Sequence, residues 1–296
     1  MNFVCPRCKG GLTQVSQGHL FCEQDALDFH QVDGVWRFLL PERELHYSRF
    51  IADYESIRHA EGRFSAEASY YRSLPFKDLS GRFSNDWRIR AASFRLLQRM
   101  LPAESTVLDL GAGNGWMSNR LASAGHQVFA IDLLVNPEDG LGAWKFYETN
   151  FTPAQSEFIH LPFGKQFADV VVFNASFHYS EDYEVTLAEI LRVLKPNGMV
   201  VIMDTPVYRH ASSGQEMIAE RRGEFYSRYG FASDSIQSEG FLTYARMKKL
   251  GAALSIDWRH VYPFYGLRWA LRPWWVRLRG GREPAQFGLW LGKPRN

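Results

Sequence analysis

Residues 107–115 read Val-Leu-Asp-Leu-Gly-Ala-Gly-Asn-Gly, and this stretch decides the fold class. A short apolar run leads into a loop with glycine at positions 111, 113 and 115, and an amphipathic segment follows. Glycine in such a loop lets the backbone turn tightly and approach a bound ligand closely. The order of strand, glycine loop and helix predicts the first βα unit of a nucleotide-binding α/β domain.

The same alternation of strand and helix continues along the chain. Short apolar runs predict buried strands at 106–110, 127–132, 168–173 and 199–203, and amphipathic runs predict helices at 116–124 and 183–194. A further helix is predicted before the first strand, because apolar residues recur at three- or four-residue spacing from Trp87 to Leu101. Strands that alternate with helices form parallel sheets covered on both faces, so we predict a doubly wound α/β domain.

Asp132 ends the second predicted strand, 21 positions after Gly111. A carboxylate at this point can accept hydrogen bonds from both hydroxyls of a ribose, and two kinds of cofactor carry one. The dinucleotide fingerprint G-x-G-x-x-G requires a third glycine at position 116, where this chain has Trp116. Since a bulky indole conflicts with the close packing of helix on strand, the pattern argues against NAD.

The observed G-x-G-x-G, with Asp109 two residues before its first glycine, resembles motif I of the class I methyltransferases that depend on S-adenosylmethionine (SAM). Four later stretches resemble the same family in the same order, at 157–163, 167–174, 192–198 and 287–294. The resemblance implies that residues 87–296 form a Rossmann-like methyltransferase domain with a seven-stranded, mostly parallel sheet and a final antiparallel strand. It also implies that SAM is the cofactor.

The resemblance assigns roles to individual residues. Asp109 is expected to face the charged methionine end of SAM, and Asp132 the ribose. Glu157 is expected to meet the adenine amino group, and the backbone of Phe158 the adenine ring. The expected cofactor-binding residues are Asp109, Gly111, Ala112, Gly113, Asn114, Gly115, Asp132, Leu133, Glu157, Phe158 and Asn174.

Candidate catalytic residues follow the strands predicted at 168–173 and 199–203. His178 is the candidate general base, because ligands of parallel sheets lie beyond the carboxyl ends of the strands and imidazole titrates near neutral pH. The alternative is that His178 packs against the cofactor loop and handles no proton. Asp204 and Tyr208 are further candidates for the lining of an acceptor pocket.

All three cysteines lie in residues 1–41, where Cys5-x-x-Cys8 is followed by Cys22-x-x-Asp25. This spacing predicts a zinc-ribbon-like module with structural zinc on Cys5, Cys8, Cys22 and Asp25. His19 or His30 could replace Asp25 as the fourth ligand. The alternative is a degenerate ribbon that has lost its metal. Residues 32–39 resemble the end of a small zinc-binding fold that is found fused to methyltransferases or partnering them.

Three segments bear on the methyl acceptor. Residues 42–86 are predicted to form a helical linker or lid. Its tyrosines (Tyr47, Tyr54, Tyr70 and Tyr71) either line a pocket or fill the core. Residues 206–250 are predicted to form an insertion that covers the substrate. Arginines and tryptophans interleave over 268–282, which suits single-stranded RNA, an interfacial membrane contact, or a solvated basic face whose tryptophans fill the core.

The overall composition narrows the function further. The formal net charge is only +2, which does not by itself indicate nucleic-acid binding, and no apolar stretch is long enough to span a membrane. With no secretory signal and few cysteines, a cytoplasmic enzyme is expected. We therefore predict methyl transfer to a small organic or lipid-like acceptor. The alternatives are a ribosomal RNA guanine methyltransferase, and a catalytically silent SAM-fold protein that binds a partner through its ribbon.

Overall fold

The computed structural model describes residues 3–278 and 281–295. The amino-terminal part holds four short strands, β1 (Thr13–Ser16), β2 (His19–Cys22), β3 (Leu27–Val32) and β4 (Val35–Arg37). Three helices follow, α1 (Pro41–Glu61), α2 (Ala68–Ser73) and α3 (Ser84–Gln98). The helix predicted from Trp87 onward is therefore present, and it begins three residues earlier.

The central part alternates strands with helices as predicted. Its elements are β5 (Thr106–Leu110), α4 (Trp116–Ser123), β6 (Gln127–Asp132), β7 (Thr152–Gln155), β8 (Ala168–Asn174), α5 (Tyr183–Val193) and β9 (Leu194–Met203). The largest difference between the predicted and the observed strand bounds is in β9, which was predicted to start at Met199. Leu194 already pairs with Ala168 of β8, so the strand begins directly where α5 ends.

The carboxyl-terminal part contains β10 (Val207–Tyr208), α6 (Ala211–Tyr229), β11 (Leu242–Thr243), α7 (Tyr244–Ala253), β12 (Ile256–Val261), α8 (Leu267–Leu278) and β13 (Leu289–Pro294). The predicted insertion thus holds two helices, each preceded by a two-residue strand. Helix α7 starts only at Tyr244, because Leu242 and Thr243 pair with β10. The Thr243 side chain accepts a hydrogen bond from Arg246 N and caps α7.

Among the described residues, eleven strands form one sheet in the order β1-β2-β3-β4-β7-β6-β5-β8-β9-β13-β12. The last seven strands of this order, β7-β6-β5-β8-β9-β13-β12, form the predicted Rossmann-like sheet. Neighbours from β7 to β9 run parallel, and β13 is antiparallel to both β9 and β12. The doubly wound fold, including its antiparallel last strand, is confirmed.

Alternate residues of each central strand enter two apolar layers. Leu108 and Phe173 belong to one layer, with side chains of α5 and α7. Val107 and Val172 belong to the other, with side chains of α3 and α4. Both faces of the sheet are therefore covered, which explains why these strands are apolar along their whole length.

The amino-terminal ribbon continues the central sheet. Strand β4 pairs in parallel with β7, and Phe3 forms a bridge to Phe163. Cys5, Cys22 and Phe3 are buried in the same apolar layer as Leu108. Because ribbon and central sheet share one core, the ribbon is held in a defined place beside the loop that follows β7.

Candidate functional site

A cavity of about 270 Å³ lies at the carboxyl ends of the central parallel strands, the edge at which such sheets bind ligands. Loops that follow β5, β6, β7 and β8 contribute to its lining, and one face of α1 contributes another wall. Nine of the eleven expected cofactor-binding residues line it: Gly111, Ala112, Gly113, Asn114, Asp132, Leu133, Glu157, Phe158 and Asn174. Asp109 and Gly115 are not part of the lining.

The glycine loop after β5 is held close to its neighbours. Gly111, Gly113 and Gly115 have positive φ angles of 75°, 54° and 78°. The amides of Gly111 and Ala112 both donate to the carbonyl of Ile131. A Cβ atom at position 111 would come within 2.2 Å of the Cβ atom of Ser176. Only glycine fits here, so the backbone itself borders the cavity.

Asp132 ends β6 beside this loop, and its side chain is fixed by the backbone. One carboxylate oxygen accepts from Gly113 N at 2.7 Å and the other from Leu134 N at 2.8 Å. Burial raises the pKa of Asp132 to about 6, although these backbone hydrogen bonds act in the opposite direction. Each oxygen keeps a free lone pair, so the oriented carboxylate can still accept two hydroxyl groups.

Asp109 lies behind the loop and out of the cavity. Its carboxylate is fully buried and accepts a hydrogen bond from Ser118 Oγ of α4 at 2.6 Å. Burial raises the pKa of Asp109 to about 7. Its other oxygen, Oδ1, has no hydrogen-bond partner among the described residues, and the expected contact with the methionine end of SAM stays a prediction. The side chain ties α4 to β5.

Glu157 follows β7 and was expected to meet the adenine amino group, but other donors occupy its carboxylate. Arg43 Nε donates to both oxygens at 2.9 Å, and His160 Nδ1 lies 2.6 Å from one of them. The Tyr47 hydroxyl lies 3.0 Å from the other oxygen and shares its single proton between Glu157 and Glu181. Burial would raise the pKa of Glu157, but hydrogen bonds from His160 and Arg43 outweigh it and hold the pKa below its usual value. Arg43 and His160 therefore compete with an adenine amino group for this carboxylate, and the adenine contact of Glu157 stays a prediction.

The same contacts fasten α1 over the cavity. Arg43 and Tyr47 also bond to Glu181, so one end of the helix is anchored to the loops that follow β7 and β8. Tyr47, Phe50, Tyr54 and Arg58 recur at three- and four-residue spacing and line the cavity. Of the tyrosines considered from the sequence, Tyr47 and Tyr54 therefore line the site. Tyr70 and Tyr71 are buried in the core around α3.

Two arginines that the sequence analysis missed, Arg58 and Arg90, line the cavity. Arg58 is ion-paired with Asp139 and with Glu61. Within residues 3–278 and 281–295, Arg90 has no ion-pair partner within 4 Å, and its guanidinium stacks on Trp87 at 5.2 Å from the ring centroid. The helical spacing of Arg58 from Tyr47, Phe50 and Tyr54 was a signal that the sequence already contained.

His178 follows β8 but is not part of the cavity lining. Burial, with smaller contributions from Arg221 and Arg90, lowers its pKa to about 3, so the ring is neutral at pH 7. Such a weak base gains little from a position near a reacting group. Asp204 and Tyr208 are also absent from the lining, and Asp204 accepts a hydrogen bond from Ser93 Oγ at 2.6 Å. The geometry favours a packing role for His178.

Asn174, at the end of β8, is the remaining polar group at this edge. Its side chain lines the cavity and is largely buried. Its Oδ1 atom has no hydrogen-bond partner among the residues that the structure describes. A buried acceptor of this kind is normally satisfied, so it points to a ligand with a donor at this end of the site.

The four predicted metal ligands lie together in the ribbon. Cys5 Sγ is 3.1 Å from Asp25 Oδ2, Cys8 Sγ is 3.6 Å from Cys22 Sγ, and all four ligand atoms lie within 4.8 Å of one another. Zinc–sulfur bonds of about 2.3 Å place tetrahedral ligands about 3.8 Å apart, so this set fits the ion. His19 and His30 group with Asp28 elsewhere on the ribbon, and do not belong to the cysteine cluster.

Residues 108–202 match a family model described as a methyltransferase domain. The demethylmenaquinone methyltransferase of Thermobifida fusca (strain YX) is 30% identical over 145 residues, which cover 44% of this chain and 60% of that protein. The ubiquinone biosynthesis O-methyltransferase of Rickettsia conorii (strain ATCC VR-613 / Malish 7) is 25% identical over 175 residues, which cover 58% and 59%. The chain therefore spans about three fifths of the length of these relatives.

A solved structure resembles the chain along nearly its whole length. The 1,6-didemethyltoxoflavin-N1-methyltransferase of Burkholderia thailandensis, with bound 1,6-didemethyltoxoflavin and S-adenosylhomocysteine, superposes with a TM-score of 0.51. The match covers 96% of this chain and 99% of that chain at 16% identity. At that identity the likeness is one of fold.

Proposed function

The chain carries a class I SAM-dependent methyltransferase domain, and from this premise we propose that it binds SAM in the cavity and methylates a small organic or lipid-like acceptor. One observation carries the proposal. Glu157, Asp132, the glycine loop and Asn174 follow β7, β6, β5 and β8, which are neighbours in that order in the sheet. With strands about 4.8 Å apart, this row is about 14 Å long and suits an extended ligand made of adenosine and methionine.

Different parts of the row suit different parts of SAM. Asp132, with its two free lone pairs, accepts the ribose hydroxyls. The backbone of Phe158 and the neighbouring Ile159 border the adenine end. Glu157 acts there indirectly, because it holds α1 in place through Arg43 and Tyr47.

Arg90 is our candidate for the carboxylate of the methionine moiety. A carboxylate in a cavity needs a cation with free N–H groups. Arg58 is committed to Asp139 and Glu61, whereas Arg90 has no ion-pair partner among the described residues. Arg90 also lines the same cavity as the glycine loop and Asn174. Ser93 of the same helix bonds to Asp204 after β9, and β9 lies four strands from β7, which leads to the adenine end.

When bound, SAM supplies a methyl group that is already activated on a positively charged sulfur. The residues of this chain have to hold the acceptor in line with that group and exclude water. Phe50, Tyr54 and Tyr179 pack edge to face or tilted at centroid distances of 5.8–5.9 Å, and form an aromatic wall of the cavity. Our proposal assigns catalysis to this positioning, and it uses no proton transfer by His178.

The ribbon is proposed to hold one structural zinc ion on Cys5, Cys8, Cys22 and Asp25. The amides of Gly10 and Asp25 lie 3.4 Å from the sulfurs of Cys8 and Cys22, and amide donors of this kind support thiolate ligands. Four protein ligands leave no open position, as expected for a structural site. Through β4 and its bridge to Phe163, the zinc would stabilise the loop that carries Glu157 and Phe158.

The class of acceptor is tested by supplying labelled SAM and fractionated cell extract to the purified protein. One relative is named for demethylmenaquinone and another for ubiquinone biosynthesis, and the aromatic wall suits an apolar molecule. We therefore expect the label in the organic-soluble fraction. Label in ribosomal RNA would favour the RNA alternative. SAM binding without transfer to any fraction would favour the silent partner-binding alternative.

A further inference from the structure

The outer face of α8 is apolar and uncovered. Five of its large apolar side chains are more than half exposed: Leu267 (73%), Leu271 (52%), Trp274 (74%), Trp275 (58%) and Leu278 (71%). At 100° per residue they fall within an arc of about 100° on one side of the helix. Phe264, just before the helix, is also exposed. Trp274 and Trp275 therefore do not fill the core, as one alternative of the sequence analysis required, whereas Trp269 packs against Tyr265 and Phe287.

The charge of this segment has one sign. Residues 258–282 contain six arginines and no aspartate or glutamate, although the chain as a whole has a net charge of only +2. Arg279 and the side chain of Arg277 lie outside the described part of the chain. Arg268 is exposed next to this face, whereas Arg282 is ion-paired with Glu220. An exposed apolar face in a segment of net positive charge is complementary to a surface with apolar chains beneath anionic headgroups.

We propose that the outer face of α8 docks on the surface of an anionic phospholipid bilayer, with the helix lying in the plane of the interface. Contiguous exposed apolar side chains mark interaction sites, and indole rings favour the level of the lipid headgroups. Within residues 3–278 and 281–295, no helix is long and apolar enough to cross a bilayer.

The geometry favours a bilayer over RNA and over a second copy of the chain. Binding of single-stranded RNA needs aromatic rings and arginines that point outward together. Here Arg272 turns back to stack on Trp269 at 3.7 Å and to donate to the carbonyl of Ala285, while three of the five outward side chains are leucines. A symmetric dimer through the same face would bring the arginines of two copies together.

The position of α8 connects this surface with the proposed function. Tyr265, just before α8, shares a hydrogen bond of 2.9 Å with Ser93 of α3. Ser93 lies one helical turn beyond Arg90, which lines the cavity. If the acceptor is lipid-like, which rests on the proposed function, a bilayer under α8 supplies it from the side of α3. Docking itself requires neither SAM nor transfer, so the two proposals can fail separately.

Vesicle flotation tests the docking surface with the full-length protein and without SAM. The probes are vesicles of phosphatidylcholine alone and vesicles of phosphatidylcholine with an equal amount of phosphatidylglycerol. We expect binding to the anionic vesicles that weakens with salt. The double variant Leu267→Ser/Leu271→Ser should bind them at least about tenfold less, since partitioning scales with inserted apolar area.

A matched double variant controls for the loss of exposed leucine in general. Leu45 in α1 and Leu79 between α2 and α3 are 80% and 45% exposed and are not part of the α8 face, so Leu45→Ser/Leu79→Ser should bind vesicles like wild type. Circular dichroism and SAM affinity verify that both variants are folded. Four outcomes would overturn the proposal: no flotation with anionic vesicles, equal loss in both double variants, a dimer that the α8 variant abolishes, or salt-sensitive RNA binding that it abolishes.

Discussion

Replacing Asp132 by Asn should weaken SAM binding while keeping the shape of the site. The Asp132 carboxylate accepts backbone hydrogen bonds from Gly113 and Leu134, and our proposal adds two ribose hydroxyls. Asparagine has one acceptor oxygen and no charge. A hydrogen bond to a charged group is worth about 1.5–3 kcal/mol, so the loss of one predicts an affinity about 10- to 150-fold lower.

The raised pKa of Asp132 adds a dependence on pH. Burial brings this pKa to about 6 in the ligand-free protein, and ribose hydroxyls donate to the ionised form. SAM affinity should therefore be full above this pH and fall about tenfold for each unit below it, because a proton competes with the ligand. The slope due to Asp132 should be absent in Asp132→Asn.

Calorimetric titration with SAM across this pH range measures both effects. Asp169→Asn is the matched control, because Asp169 also accepts a backbone amide, from Thr106, but lies near the opposite end of β8 from the cavity. Its SAM affinity should equal that of wild type. The reasoning is refuted if Asp132→Asn binds SAM as tightly as wild type at neutral pH, or if NAD binds more tightly than SAM.

Three further predictions test the remaining parts of the site. Arg90→Gln should lower SAM affinity about tenfold or more but leave the affinity for decarboxylated SAM unchanged, because only SAM carries the carboxylate; equal losses for both ligands would contradict the assignment. Metal analysis should find about one zinc ion per chain. The Cys22→Ser variant should lose the metal and have a lower melting temperature. An ordered ribbon in the metal-free wild-type protein would disprove the zinc site. His178→Gln should keep the pH–rate profile of wild type, since burial lowers the His178 pKa to about 3; the disappearance of a titration near neutrality would restore His178 as the base.

The central fold could be predicted because its signals are local. β5 and β6 occur where apolar runs were found, and the loop between β5 and α4 contains the glycines that its positive φ angles require. Each of these features depends on a few consecutive residues, whose conformational preferences act before any long-range contact forms. The position of Asp132 at the end of β6 follows from the same pattern.

The occupied state of Glu157 could not be predicted in this way. Arg43 and Tyr47 are 114 and 110 positions away in the sequence, and nothing local indicates that they would take up the carboxylate. The absence of an ion-pair partner for Arg90 among the described residues could not be predicted from the sequence either, because it depends on which carboxylates lie near the guanidinium after folding. Ion pairs between distant elements are decided by tertiary packing.

By itself, the sequence determined the α/β class and the glycine loop. It also identified Asp132 as the ribose-binding candidate and Cys5, Cys8 and Cys22 as candidate metal ligands, with Asp25, His19 or His30 as the fourth. Only the tertiary structure decided that the ribbon extends the central sheet through β4, that Asp109 and His178 lie outside the cavity lining, and that α8 turns its leucines and tryptophans outward. The physical reason is that periodicity identifies which side chains share a face of an element. Whether that face meets the core, a ligand or the surroundings depends on elements that are distant in the chain.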